Sequence, residues 1–415
     1  MAVATAPTPG SRMDGYRELF RNRGWLLWQT SATAANVGYS VYAISIPWFA
    51  YEVSGNFLVV GLVLFIEVGI YSLTFLVAPL VDRARNKRNV YLACYPAQAV
   101  AAGAIAVAIF DHELSVPLLL GLIAFISLLW DVAWAANNVA PALLLSREQL
   151  FRAEGLGTLL GGGTQLGGYA GGAVLVVWVG PGAGLLLYAA LLAVATVPVL
   201  PLSIPSGTRS EAPYLSDFRE GWRYFSGDAG AALRKLGSVE LLRGFVNTAP
   251  SVLIVVLAAH TFADSSDAYG VLFVAWVIGG VAAALLLGEW NPRGRVGWIL
   301  TAAPVAGGLL ILTAVWPGIS LVVGAATWFL FGAAGTAYGT AFYVYLRGAY
   351  PAGAVGRITG NLYLFTGSAG AVGAVVVGTL AGVWSAQEIG FLVAACLIAA
   401  GTLLFALPGI RRLAF

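Results

Sequence analysis

Long apolar runs, each near the length of a membrane span, alternate along the chain with short polar connections. Twelve such runs are legible: 27–53, 57–81, 89–110, 116–143, 155–179, 182–203, 238–262, 268–290, 296–316, 318–346, 357–383 and 385–407. A spanning helix needs about 20 mostly apolar residues. A barrel strand would instead show roughly ten residues of alternating character. These runs are continuously apolar, so the pattern predicts an all-α integral membrane protein with about 12 transmembrane helices.

The connections fall into two kinds. One set is short and uncharged or acidic: 54–56, 111–113, 180–182, 263–267, 316–318 and 385–388. The other holds the bases: the N-terminal tail, 82–88, 147–152, 209–235, 293–295, 347–357 and Arg411–Arg412. All 22 Lys and Arg lie in the second set or, for Arg243, within a turn or so of it. Basic loops stay in the cytoplasm, which predicts a multi-pass protein of the cell (inner or plasma) membrane with both termini cytoplasmic.

Residues 1–26 then read as a cytoplasmic tail ending in an amphipathic surface helix over 14–24. The first residues are small and contain proline, without the apolar core of a signal peptide. Residues 204–237 form the long interior linker, where Phe218, Trp222 and Phe225 at helical spacing predict a second surface helix. The linker separates an N-terminal six-helix bundle, 27–203, from a C-terminal one, 238–408, followed by a cytoplasmic tail, 409–415.

Composition agrees with this picture and closes off other classes. The chain is 59% hydrophobic and 10% charged, against about 25% charged in soluble proteins. Cys94 and Cys396 fall inside apolar runs, and His112 and His260 are far apart, so no metal site or disulfide framework is indicated. No phosphate-binding glycine loop with Lys-Ser/Thr is present, so ATP is not the energy source within this chain. No nucleophile–base constellation marks an enzyme, and no cofactor is implied.

A faint repeat supports the 6 + 6 division. Arg152 is followed by Gly155, Gly163 and Gly168; Arg357 is followed by Gly360, Gly367 and Gly373. Each arginine opens the fifth span of its half. Paired six-helix halves are a common build of secondary transporters.

The stretch APLVDRARNKR, 78–88, is the most polar in its neighbourhood. It carries Asp82, Arg83, Lys87 and Arg88 in the spacing of the loop between the second and third helices of the major facilitator superfamily. That loop reads Gly, three residues, Asp, a base, any residue, Gly, any residue, then two bases. Ala78 and Arg85 replace the two glycines here. A second pattern lies in the fifth span: Gly163, then Gly167-Gly168, then Gly171-Gly172. It resembles the glycine-rich motif of antiporter branches, with Gly168 in place of the proline. Plain helix packing through small residues is the alternative account. SIPWFAYEVSG and DAYGVLFVAWVIGG are similar to the branch of macrolide-efflux-like and siderophore-exporter-like drug:proton antiporters. The resemblance implies two pseudo-symmetric six-helix bundles, a conformational switch loop at Asp82, Arg83, Lys87 and Arg88, and close helix packing at Gly163, Gly167, Gly168, Gly171 and Gly172.

The resemblance also implies that spans one, four, seven and ten line a central cavity. In span one, Gln29, Thr33, Asn36 and Ser40 share a face; in span four, Ser127, Asp131, Trp134 and Asn138 do. Span seven aligns Arg243, Asn247 and Ser251, and span ten carries Trp328, Phe331, Tyr338, Phe342 and Tyr345. From these come the cavity candidates Gln29, Asn36, Ser40, Ser127, Trp134, Asn138, Asn247, Trp328, Tyr338 and Phe342, with packing as the alternative role of the aromatic ones.

Ionisable groups within the membrane are functional candidates. Asp131 is the first choice for proton coupling and Glu67 the second, each near mid-span. A structural Asp131 held by Asn137, Asn138 or backbone is the alternative. No Lys or Arg is expected deep in the membrane, and a carboxylate among aromatics suits neutral or cationic amphiphiles. The expected activity is therefore proton-coupled export of a hydrophobic neutral or cationic small molecule. Its partners would be that substrate, protons and the lipid bilayer, with no nucleic acid, and the chain would act as a monomer. A proton-coupled importer of a neutral nutrient and a transport-inactive receptor or scaffold are the alternatives.

Overall fold

The computed structural model describes residues 12–84, 86–110, 114–204, 222–226, 231–263, 265–290, 295–350 and 352–407. The expected tail start, most of the 204–237 linker and the final tail lie outside the described residues. The chain is nearly all helix, and the described residues contain no strand.

A short helix, α1 (Arg12–Arg21), precedes the first span, α2 (Arg23–Ser54). Leu19 of α1 is buried against Trp25 and Ala153, as an amphipathic surface helix requires. Span two is α3 (Phe57–Ser72) plus α4 (Thr74–Arg83). Spans three to six are α5 (Lys87–Phe110), α6 (Val116–Leu144), α7 (Arg147–Val179) and α8 (Pro181–Val199). Span seven is α9 (Ala231–Phe245), α10 (Ala249–Val256) and a π-helical turn, Leu257–Thr261. Spans eight to twelve are α11 (Ser266–Trp290), α12 (Val296–Ala314), α13 (Leu321–Ala349), α14 (Ala352–Leu380) and α15 (Ala386–Ala406). Among the described residues, nine helices are long and apolar enough to cross a membrane.

The short connections carry the start and stop signals. Gly55 takes φ +59° to end α2, and the Asn56 side chain then accepts from the Leu58 amide to begin α3. Ser146 with Gln149, and Ser385 with Glu388, form capping boxes on α7 and α15. Asn22 caps α2 and donates 3.0 Å to the Leu144 carbonyl, tying the start of span one to the end of span four.

Two spans break where the sequence pattern predicts continuous helix. At Leu73 the hydroxyls of Ser72 and Thr74 donate to the carbonyls of Gly69 and Tyr71 and compete with the backbone ladder. At 246–248 Pro250 supplies no N–H for the preceding turn, and the Thr248 hydroxyl donates to the Gly370 carbonyl of α14 instead.

Within the N-terminal bundle, α2 packs on α7 and α8, and α5 on α6 and α8; within the C-terminal bundle, α11 packs on α13, and α12 on α13 and α15. The bundles meet along α3 with α14 and along α7 with α11. A Cβ on Gly61 would fall 2.5 Å from the Ala374 carbonyl oxygen, and one on Gly378 would fall 2.6 Å from that of Phe57. Backbone therefore lies on backbone along this seam. Tyr269 donates 2.7 Å to the Ile44 carbonyl, and the Phe57 ring stands edge-on to His260. These contacts close the bundles at the end bearing the short connections 54–56 and 263–267. Toward the basic end the seam reaches Tyr71 and Tyr363, whose ring centroids are 6.3 Å apart.

Candidate functional site

Each bundle holds a cavity. One, about 430 Å³ and walled by polar and aromatic side chains, lies in the N-terminal bundle. Asn36, Tyr39 and Ser40 of α2 form one wall, and Trp130 and Trp134 of α6 another. Glu67 and Tyr71 of α3 and Gln165 of α7 complete it. Tyr39 and Trp130 stack with centroids 4.1 Å apart, giving the cavity a flat aromatic wall. One oxygen of the Glu67 carboxylate and the Tyr42 hydroxyl are both buried, and the hydroxyl faces the carboxylate as its side-chain partner. Tyr42, Tyr169, Tyr188 and Tyr269 also lie within electrostatic reach of this carboxylate.

Asp131 is placed differently from expectation. It is buried, lies 3.2 Å from the Thr74 hydroxyl, whose one proton it shares with the Tyr71 carbonyl, and does not line the cavity. The break between α3 and α4 presents Thr74 to it, and Asn137, an expected partner, instead accepts from Trp28. Glu67 is thus the carboxylate on the cavity wall.

The second cavity, about 280 Å³, lies in the C-terminal bundle. The broken seventh span supplies Arg243, Asn247 and Pro250; α13 supplies Phe331, Thr336 and Tyr338. Glu240 accepts from Arg243 at 2.8–3.2 Å and from the Tyr338 hydroxyl. The guanidinium also sits 4.7 Å from the Tyr338 ring centroid and donates 3.2 Å to the Asn247 carbonyl oxygen. Arg243 therefore lines a cavity, on the same face of span seven as Asn247. Its ion-pair spacing, Glu240 to Arg243 at i, i+3, is visible in the sequence, but the break that turns this end of span seven inward is not.

Of the cavity candidates, Asn36, Ser40 and Trp134 line the first cavity and Asn247 and Tyr338 the second. Gln29 donates to Thr33 within its own helix, and Ser127 and Asn138 lie outside both walls. Trp328 is buried against Trp276 and Phe331, and Phe342 stacks on Tyr338 behind the wall. Tyr39, Tyr71, Trp130 and Gln165 are wall residues that the face analysis missed. Spans two and five were not among those expected to line a cavity.

The glycines of span five divide into two groups. A Cβ on Gly168 would fall 2.6 Å from the Ser40 Cβ, and one on Gly172 would fall 2.6 Å from Ile44 Cγ2, so these two seat α7 on α2. Gly163, Gly167 and Gly171 have open space around them, so the expected close packing does not extend to that face.

In the 78–88 stretch the side chains of Asp82 and Arg83 lie outside the described residues. Lys87 is buried and donates to the carbonyls of Val81 and Ala84, capping the end of α4. Arg88 donates to the carbonyls of Val199 and Leu200 at 3.2 and 2.6 Å, capping α8.

No family model matches the chain, and no curated protein does. Solved structures do. The nucleoside transporter NupG is similar over 92% of this chain and 98% of its own, with 14% identity and a TM-score of 0.73. A bacterial homologue of the iron transporter ferroportin, in an inward-facing state, is similar over 93% and 98%, with 15% identity and a TM-score of 0.68. The human organic anion transporter MFSD10 (TETRAN) is similar over 92% and 99%, with 19% identity and a TM-score of 0.61. The chain has the major facilitator fold.

Proposed function

We propose that the chain is a secondary active transporter working by alternating access, and that it exports a neutral or cationic aromatic small molecule in exchange for protons. The observation that carries this reading is Glu67, whose carboxylate, with one oxygen buried, lies on the wall of a cavity faced by Tyr39, Tyr71, Trp130 and Trp134. Aromatic faces attract cations, and a carboxylate that binds either a proton or a cation makes the two compete. Such competition is the requirement for antiport. Asp131 is the second candidate for the proton.

The similarity of SIPWFAYEVSG and DAYGVLFVAWVIGG to drug:proton antiporters favours export. With the basic loops in the cytoplasm, the closed end of the bundles faces outward, and the cavities belong to the state open to the cell interior. Switching is assigned to the 78–88 loop through Asp82 and Arg83.

Proteoliposomes test the reading. With the lumen acid, labelled ethidium, a permanent aromatic cation, should accumulate. Glu67→Gln should lose this driven accumulation while retaining exchange of ethidium across the membrane. Driven accumulation that survives in Glu67→Gln would remove Glu67 from the coupling step.

The amides of Asn36 and Gln165 on the same wall favour a second reading, import of a neutral heteroaromatic nutrient with protons. It predicts uridine uptake when the outside is acid, and no ethidium uptake. A receptor without transport predicts binding of either probe with no uptake under any gradient.

A further inference from the structure

The cavity of the C-terminal bundle is distinct in chemistry from the one at Glu67. Its polar groups are donors: the Arg243 guanidinium, the Asn247 amide and the Thr336 hydroxyl. The Asn247 carbonyl oxygen is already committed to Arg243, which leaves its NH₂ for a ligand. Glu240 does not cancel this character by position. It is 1% exposed, behind the arginine, while the Arg243 side chain is 24% exposed. A ligand entering the cavity therefore meets the cation first. Guanidinium has five N–H donors. Glu240 takes those of the near edge, and the terminal nitrogens keep donor capacity beside Tyr338. The remaining walls are apolar and aromatic: Pro250, Trp276, Pro304, Phe331 and Leu397.

We propose that this cavity is a second ligand site, which takes the carboxylate of an aromatic organic acid on Arg243, with its ring against Trp276 and Phe331. A planar carboxylate matches the guanidinium fork. A cavity of about 280 Å³ has room for a single substituted ring. Glu240 then acts as the internal competitor of the ligand: it holds the arginine in place when the site is empty and shares it when the site is filled.

The test uses the full chain in detergent and three probes that share one ring: benzoate, benzyl alcohol and benzylamine. Calorimetric titration should show benzoate binding tighter than the other two. Glu240→Gln keeps a hydrogen-bonding partner for Arg243 but removes the competing charge, and should tighten benzoate by about tenfold, the size of one charge-assisted hydrogen bond. The double variant Glu240→Gln/Arg243→Gln avoids a lone buried charge and should bind benzoate no better than benzyl alcohol. Benzoate binding no better than benzyl alcohol in the native chain would overturn the proposal. So would a preference for benzoate that persists in a monodisperse double variant. Labelled ethidium should stay bound when benzoate saturates; displacement would put both probes in one cavity and overturn the assignment as well. A chain that binds benzoate through Arg243 but never binds ethidium would refute the antiport reading and leave this site standing.

Discussion

The Tyr269 hydroxyl donates to the Ile44 carbonyl at 2.7 Å, joining span eight of one bundle to span one of the other. The Tyr269 ring also stacks on Trp48, centroids 5.3 Å apart, so one side chain supplies both a polar and an aromatic contact across the interface. Tyr269→Phe should keep the ring and lose the hydrogen bond, worth about 1 kcal/mol. Distance measurements between spin labels on the 54–56 and 263–267 connections should then show the separated form enriched roughly fivefold. An unchanged distance distribution would show that the stacking alone holds this end closed.

Glu67 and Asp131 separate by what surrounds them. Asp131 already has the Thr74 hydroxyl as a partner and lies off the cavity wall. Asp131→Asn should therefore lower the melting temperature modestly and leave proton-driven ethidium accumulation in place, whereas Glu67→Gln abolishes it. The reverse ranking in proteoliposomes would return the coupling role to Asp131.

Gly168 and Gly167 are neighbours with opposite surroundings. Gly168→Leu would drive a side chain into Ser40 and the Val37 carbonyl, and should abolish accumulation of folded protein. Gly167→Leu meets open space and should yield folded protein at native levels. Fluorescence-detected size exclusion of the two variants reads the contrast directly.

Lys87 and Asp82 test two roles within one loop. Lys87→Met strips the Val81 and Ala84 carbonyls of a charged donor and should cost about 1–3 kcal/mol, seen as a lowered melting temperature. Asp82→Asn, by the switching role assigned to it, should leave ethidium affinity intact and slow turnover. Equal loss of binding would speak against that role.

The twelve-run pattern and the 6 + 6 arrangement were legible because hydrocarbon demands long apolar helices, and that demand is written locally. The helix starts rest on local signals too: Asn56, Ser146 and Ser385 cap the helices that follow them. The cavity walls were readable only in part. Asn36, Ser40 and Trp134 follow from helical spacing in spans one and four. Glu67 reaches the wall from span two, and its advantage over Asp131 depends on the break at Leu73, which swings Thr74 onto Asp131. That break arises from hydroxyl–carbonyl competition at Ser72 and Thr74, which the apolar run around them conceals. The break in span seven was hidden for a similar reason. Span seven reads as one helix, yet Thr248 finds its acceptor in another helix, at Gly370. The two glycine faces of span five are indistinguishable in sequence because every position is small; only the partner, α2, selects Gly168 and Gly172.

The seam between α3 and α14, where Gly61 and Gly378 bring main chain against main chain, also bears on the electrical integrity of the membrane. Side chains that interdigitate leave crevices when they slide, and a crevice wide enough for a file of water conducts protons. Two smooth backbones in contact offer no such channel, and they can roll on one another while the ends part. For the gradient-driven carrier proposed above, such a seam would let the molecule change shape without short-circuiting the gradient. A bulky residue at Gly61 would collide with the Ala374 carbonyl and force the two backbones apart, so it should cost the seam itself and, with it, folded protein.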